Sequence, residues 1–298
     1  MEIAKKMKIK KLLFVTKFEE LGFDALQSLL LLVKADLNHV VFLNVIERDK
    51  VAFHRGVGYQ KDEEIRLREK ANIRFIDWAE HLFEQGMEVG VYIVVGNLVP
   101  QIIKAAQKEE ADLVVIGRSQ KGVLEQFYSG SDVTEVIRRT STPILVFKHM
   151  ADDIKILEKP FQNPLLAMDW SPASLRAVAY LKSLKDIIET IDIVTVASEK
   201  ELSGKSAMGV QKTRKIRRQK LDTICEEFEA LGLRARPHIY IGDPAEELER
   251  AAKECKASLV VLGSSGKGAW AEKWIGSIPR TISEKSVFPT LLIPPEIK

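Results

Sequence analysis

Residues 263–277 read GSSGKGAWAEKWIGS. Glycines at 263, 266, 268 and 276 bracket Ser265 and Lys267. Glycine allows positive φ and close approach of the backbone to a ligand. Successive N–H groups in such a turn can form an anion-binding nest. Gly276 and Ser277 then precede a predicted helix, whose first turn offers free N–H groups and the positive end of the helix dipole, with the Ser277 hydroxyl beside them. Pro279 removes only an N–H that has no partner within the helix. The chemistry this suggests is capture of a phosphate. The Walker A spacing is absent, and the glycines follow a fourth strand rather than a first, so the Rossmann pattern does not apply. A glycine-rich surface turn is the other reading of the same residues. A second candidate is Asp169 in AMDWS, at the tip of a predicted strand. A carboxylate there can accept from a ribose hydroxyl or an adenine amine, or it can serve only the start of the next helix.

These residues need a frame, and an internal repeat supplies it. Residues 117–131, GRSQKGVLEQFYSGS, resemble the later loop at an offset of 146. The same offset matches Gly96 with Gly242, Pro143 with Pro289, and LVVIG (113–117) with LVVLG (259–263). Such self-similarity predicts a duplicated domain. Each half alternates short apolar runs with helical stretches. In the first, KKLLFVT, HVVFLNVI, VGVYIVV, DLVVIG and PILVF are predicted strands; helices are predicted over Asp24–Lys34, Asp62–Gln85, Val99–Glu109 and Asp132–Arg139. PLLAMD, DIVTVA, ARPHIYI, SLVVLG and TLLIP are their counterparts in the second. Continuous apolar runs suit strands buried on both faces, and strand–helix alternation implies parallel pairing with right-handed crossovers. The expected fold is α/β: two tandem doubly wound domains, each a five-stranded parallel sheet of order 3-2-1-4-5. Ligands bind such sheets beside the first and fourth strands. The predicted domains are 1–149 and 162–298, joined by a charged, proline-containing linker over 150–161.

Composition narrows the function classes. Hydrophobic residues make up 46% and charged residues 29% of the 298, as in globular proteins. A net charge of +3 does not call for a nucleic-acid partner. Two cysteines without a CxxC spacing predict neither a disulfide framework nor a metal site, and fit a reducing cytoplasm. The basic N-terminus lacks the long apolar region of a signal peptide, and Leu29–Val33 is too short to span a bilayer; no membrane association is expected.

Asp169 together with Gly263, Gly266, Gly276 and Ser277 resembles the ATP-binding signature of the universal stress protein family, G-x2-G-x9-G-[ST] with an Asp ending the first strand. The resemblance covers almost the whole chain. It implies a Rossmann-like sheet of the adenine-nucleotide α-hydrolase type, with ATP (or AMP or ADP) held by its phosphates at the glycine loop, Gly268 included. It leaves room for Mg2+ beside ATP. It also implies backbone contacts to the base from Val196 and a backbone N–H from Ile278. The first half departs from the signature: Lys17 stands where the Asp belongs, Gln120 replaces the second loop glycine, and Asp132 follows Ser131 at the helix start. Lysine could contact a phosphate and glutamine can adopt positive φ at some cost. Together the three changes predict a degenerate first site and an intact second one.

The expected function is a nucleotide-responsive stress or regulatory module with no catalytic residues, any ATP hydrolysis being weak. A nucleotide-free dimerisation scaffold is the alternative. An ATP pyrophosphatase ranks lower, because the SGGxDS loop expected after a first strand is replaced by TKFEE and DWSPAS. Further readings are that KTRKIRRQK (212–220) forms a solvated helix face, with nucleic-acid or acidic-partner binding as the alternative, that His54 lacks a neighbouring cluster for a metal site and His238, on the third strand, does not indicate a Ser-His-Asp arrangement, and that Trp270 and Trp274 cover a ligand, join chains or only pack their segment. PILVF and TLLIP are expected to pair in an internal pseudo-dimer, with association of two chains left open.

Overall fold

The computed structural model describes residues 8–18, 21–51, 59–118, 130–148, 159–204, 206–264 and 276–295. They fall into two compact units, Lys8–His149 and the residues from Met150 onward.

The N-terminal unit contains β1 (Lys11–Val15), α1 (Phe23–Leu29), β2 (His39–Glu47), α2 (Lys61–Phe83), β3 (Glu88–Gly96), α3 (Leu98–Lys108), β4 (Leu113–Arg118), α4 (Gly130–Arg139) and β5 (Ile144–Lys148). Its strands pair in parallel throughout, in the order β3-β2-β1-β4-β5. The C-terminal unit contains β6 (Pro164–Ala167), α5 (Pro172–Ser183), β7 (Thr190–Ala197), α6 (Ala207–Glu229), β8 (Arg234–Ile241), α7 (Pro244–Glu254), β9 (Leu259–Gly263), α8 (Ser277–Lys285) and β10 (Thr290–Ile293). Its parallel order is β8-β7-β6-β9-β10. Each unit has the expected 3-2-1-4-5 sheet. Helices cover both faces of a central strand, which is why Leu12–Val15 and Leu259–Leu262 are buried residue after residue rather than alternately.

The duplication recurs in the backbone. Gly86 and Gly232, 146 positions apart, both end the long second helix at positive φ (75° and 84°). There the N–H of Met87 returns to the carbonyl of Leu82, and that of Leu233 to Phe228. Glu110 and Lys256, again 146 apart, hold left-handed conformations (φ 50° and 53°) after α3 and α7. Such residues let the following N–H satisfy a terminal helix carbonyl.

Two local expectations change. In place of one helix over Asp24–Lys34, α1 stops at Leu29 and a 3-10 helix continues over Leu30–Ala35. The tighter winding buries Leu32 and Ala35 beside Leu29. At the linker's end, Phe161 is fully buried and the carbonyl of Pro160 accepts from Ser258 Oγ at 2.9 Å, so these residues pack with the C-terminal unit. The units also differ inside. Phe14, Phe42, Phe75 and Trp78 form an edge-on and stacked aromatic cluster under α2. The matching helix α6 buries Leu221, Ile224, Cys225 and Phe228.

Candidate functional site

The sequence MDWSP determines the tip of β6. Asp169 Oδ1 accepts from the N–H of Ser171 at 2.9 Å, an Asx turn. Trp170 sits at φ 60°, a left-handed conformation that costs about 1 kcal/mol or more outside glycine. Ser171 then caps α5 through the N–H of Ser174, and Pro172 occupies the first helical position. Phe18 in the N-terminal unit is also left-handed, φ 72°, and follows Lys17 as Trp170 follows Asp169. A cation lies over each ring: Arg74 over Phe18 at 5.0 Å and Lys220 over Trp170 at 5.2 Å.

Across from Asp169, the N–H of Gly276 donates to the carbonyl of Ser264 at 3.1 Å, joining the two ends of the segment 265–275. Gly276 is the N-cap of α8, with an ordinary φ of −61° and no side chain to cap with. The first bond of the α8 ladder runs from the N–H of Arg280 to the carbonyl of Gly276. Pro279 has no N–H, so intrahelical bonding leaves the N–H groups of Ser277 and Ile278 outside the ladder.

An open cleft of about 720 Å³ lies between these elements, lined by Asp169, Val196, Gly263, Gly276, Ser277 and Ile278 among others. Six of the sequence-predicted site residues thus share one cleft. The predicted Ser265, Gly266, Lys267 and Gly268 lie outside the described residues, as do His54, Gln120, Trp270 and Trp274. Met168, Val194, Leu248 and Leu262 give the cleft an apolar floor.

Two details refine the residue roles. A Cβ on Gly263 would stand 2.7 Å from the Ser174 nitrogen and 2.8 Å from the Ala173 Cβ, so the first signature glycine admits the start of α5 against β9. The carbonyl of Val196 already accepts from Arg217 Nη1 at 2.8 Å. Arg217 also bonds Thr195 Oγ1 and pairs with Glu201. It is buried, whereas Lys212, Arg214, Lys215, Arg218 and Lys220 are exposed, so the basic run is a solvated face with one member turned inward.

The equivalent of Asp169 in the N-terminal unit is a buried ammonium. Lys17 is 9% exposed and its Nζ forms an ion pair with Glu47 at the end of β2. Thr16 shapes this turn, accepting from the N–H of Phe18 at 2.7 Å and donating to the carbonyl of Leu21 at 2.6 Å. Asp132 lies in the first turn of α4.

Another polar cluster of the C-terminal unit was not anticipated. Asp192 on β7 is 1% exposed and receives Arg236 Nε and Nη2 at 2.8 and 2.7 Å. His238 Nε2 lies 2.7 Å from Asp192 Oδ1 and 3.8 Å from the sulfur of Cys255, the cap residue of α7. Burial pushes the Asp192 carboxyl up, but the bonds from His238 and Arg236 prevail and hold it below its ordinary value. The bond to Asp192, then that to Cys255, raises His238 to about 9. The available signal was an acid inside the apolar run DIVTVA, with Arg236 directly opposite in register and His238 two residues on.

A family model described as the Universal stress protein family matches residues 8–148 and 160–294. The chain belongs to the universal stress protein family. Among relatives of this universal stress protein, one from Methanocaldococcus jannaschii is 28% identical over 153 residues, covering 47% of this chain and 94% of its own. One from Mycobacterium bovis is 25% identical over 215 residues, 70% of each chain. The crystal structure of a universal stress protein from Archaeoglobus fulgidus shares the fold, with a TM-score of 0.73, 22% identity and 97% coverage of both chains. Among the described residues no helix is long and apolar enough to cross a membrane.

Proposed function

We propose that this universal stress protein binds an adenine nucleotide, ATP foremost, in the cleft of its C-terminal unit, and that occupancy is the signal it passes on. The single observation that carries the reading is the gathering of Asp169, Val196, Gly263, Gly276, Ser277 and Ile278 around one cleft with an apolar floor. An apolar floor suits the faces of a purine. The two N–H groups at the start of α8 and the helix dipole suit a phosphate, and Asp169 suits a ribose hydroxyl or an exocyclic amine. The loop 265–268 supplies further glycines and Lys267 by sequence, and Mg2+ would accompany a triphosphate. The N-terminal unit carries a degenerate site, because the Lys17–Glu47 pair takes the place of the carboxylate.

Calorimetric titration of the full chain with ATP and Mg2+ tests this. One site per chain is expected, weakened at least tenfold by Gly266→Gln and by Asp169→Ala. Two sites of similar affinity would remove the assignment of a degenerate half. No binding at millimolar nucleotide, with none released on denaturing the purified protein, would favour the scaffold reading instead.

A further inference from the structure

We propose that Asp192, His238 and Cys255 form a binding site for a divalent metal ion of the zinc class. The three donor atoms, a carboxylate oxygen, an imidazole nitrogen and a thiol sulfur, lie within 4.8 Å of one another. They come from separate elements: β7, its neighbour β8, and the end of α7. Imidazole, thiolate and carboxylate are the ligands zinc takes, at about 2.0–2.3 Å. Donors around a tetrahedral ion therefore stand roughly 3.3–3.8 Å apart. The His238–Cys255 separation of 3.8 Å is already of that size, while the His238–Asp192 separation of 2.7 Å must open slightly.

A second feature separates this cluster from a nucleophile–base arrangement. In a catalytic triad the imidazole uses one nitrogen for the nucleophile and the other for the carboxylate. Here both Asp192 Oδ1 and Cys255 Sγ face the same nitrogen, Nε2. Such a constellation cannot relay a proton along the ring, but it does surround a single point. A metal ion would take that point. Ligation needs a thiolate and an unprotonated Nε2, so affinity falls on acidification. A water completes the coordination, since three protein ligands converge.

Arg236 fits the role of a supporting group. It bonds Asp192 Oδ2 through Nη2 at 2.7 Å and can keep that bond while Oδ1 turns to the metal. Its Nε must then leave Oδ1, which a side chain 54% exposed can do. Ligating carboxylates are commonly held in this way by outer partners. The site adjoins the cleft without lining it: Asp192 stands two residues, about 7 Å of strand, before the cleft residue Val194. β7 and α7 contribute residues to both.

The test is a titration of the untagged, EDTA-treated full chain with Co2+. One equivalent should produce a thiolate-to-cobalt charge-transfer band and the visible absorption of a four-coordinate ion, both bleached by Zn2+. Cys255→Ser should abolish the band, His238→Asn should weaken binding at least tenfold, and Cys225→Ser should leave it unchanged, in variants with wild-type circular dichroism. Zn2+ should also raise the thermal midpoint of the wild type and of Cys225→Ser but not of Cys255→Ser. No band in the wild type at millimolar Co2+, a band that survives Cys255→Ser, or an equal thermal rise in that variant overturns the proposal.

Discussion

Arg217 donates through Nη1 to the backbone carbonyl of Val196 at 2.8 Å, from a helix whose neighbouring positions, Ile216 and Arg218, face solvent. The same guanidinium bonds Thr195 Oγ1 at 2.9 Å and Glu201 at 2.5 Å. The end of β7 beside the cleft is therefore pinned from α6. Arg217→Met should cost the C-terminal unit about 1–3 kcal/mol, because buried acceptors lose a charged donor. Glu201→Gln should cost under about 1 kcal/mol, since the Glu201 side chain is 44% exposed. Urea unfolding of both variants checks the order; equal losses would show that burial of the guanidinium does not govern the effect.

Gly263→Ala addresses the contact of β9 with α5. The added methyl would meet the Ser174 nitrogen at 2.7 Å and the Ala173 carbonyl carbon at 2.9 Å, and backbone cannot swing aside. Overpacking of this kind costs about 1–3 kcal/mol. A thermal midpoint lowered by several degrees is expected without added nucleotide. An unchanged midpoint would mean that the glycine is there for a ligand alone.

The Lys17–Glu47 pair predicts unequal effects of its two halves. Glu47→Gln withdraws the carboxylate counter-ion from a buried ammonium and should cost about 1–2 kcal/mol. Lys17→Met should cost less, because an apolar chain of similar length suits the site and Glu47, its side chain 36% exposed, remains hydrated. Chemical unfolding of the two variants distinguishes them, and the reverse order would defeat this account. Neither change should add a second nucleotide site.

Two histidines of the N-terminal unit should titrate on opposite sides of the ordinary value. Burial, then the Lys11 charge, lowers His39 below 6.5. The bond between His81 Nδ1 and the carbonyl of Asp77 raises His81 above 6.5. Nuclear magnetic resonance titration of the imidazoles should place the two midpoints in that order. For His39 the unfolded chain binds the proton more readily than the folded one. Its contribution therefore erodes stability as pH falls below 6.5 toward the lowered folded value and is absent above 6.5. His39→Gln should flatten that part of the stability curve; an unchanged slope would count against the burial of the imidazole.

Much of the fold was legible because its signals are local or repeated. Gly86 and Gly232 stop equivalent helices, and an offset taken from the glycine loops predicts their spacing. Apolar runs such as LVVIG and LVVLG announce central parallel strands, since only burial on both faces tolerates them. Asp169, Gly276 and Ser277 could be singled out because strand tips beside the switch point and helix starts are places where backbone groups are left over. The break of the first helix at Leu29 was not legible, because LLLLV is apolar around the whole helix circumference and carries no preference between the two windings.

By itself the sequence determined the duplication, through matches at a constant offset, and the strand–helix alternation; the 3-2-1-4-5 order was the expectation for doubly wound sheets, and the family rested on the resemblance of Asp169, Gly263, Gly266, Gly276 and Ser277 to a known signature. Only the tertiary structure decided that Arg217 turns inward from an otherwise solvated basic run, that Gly263 makes room for Ser174, and that Cys255 meets His238 and Asp192. Each of those relationships joins residues 17 to 89 positions apart. Strand register and helix placement create such contacts, and no periodicity along the chain encodes them.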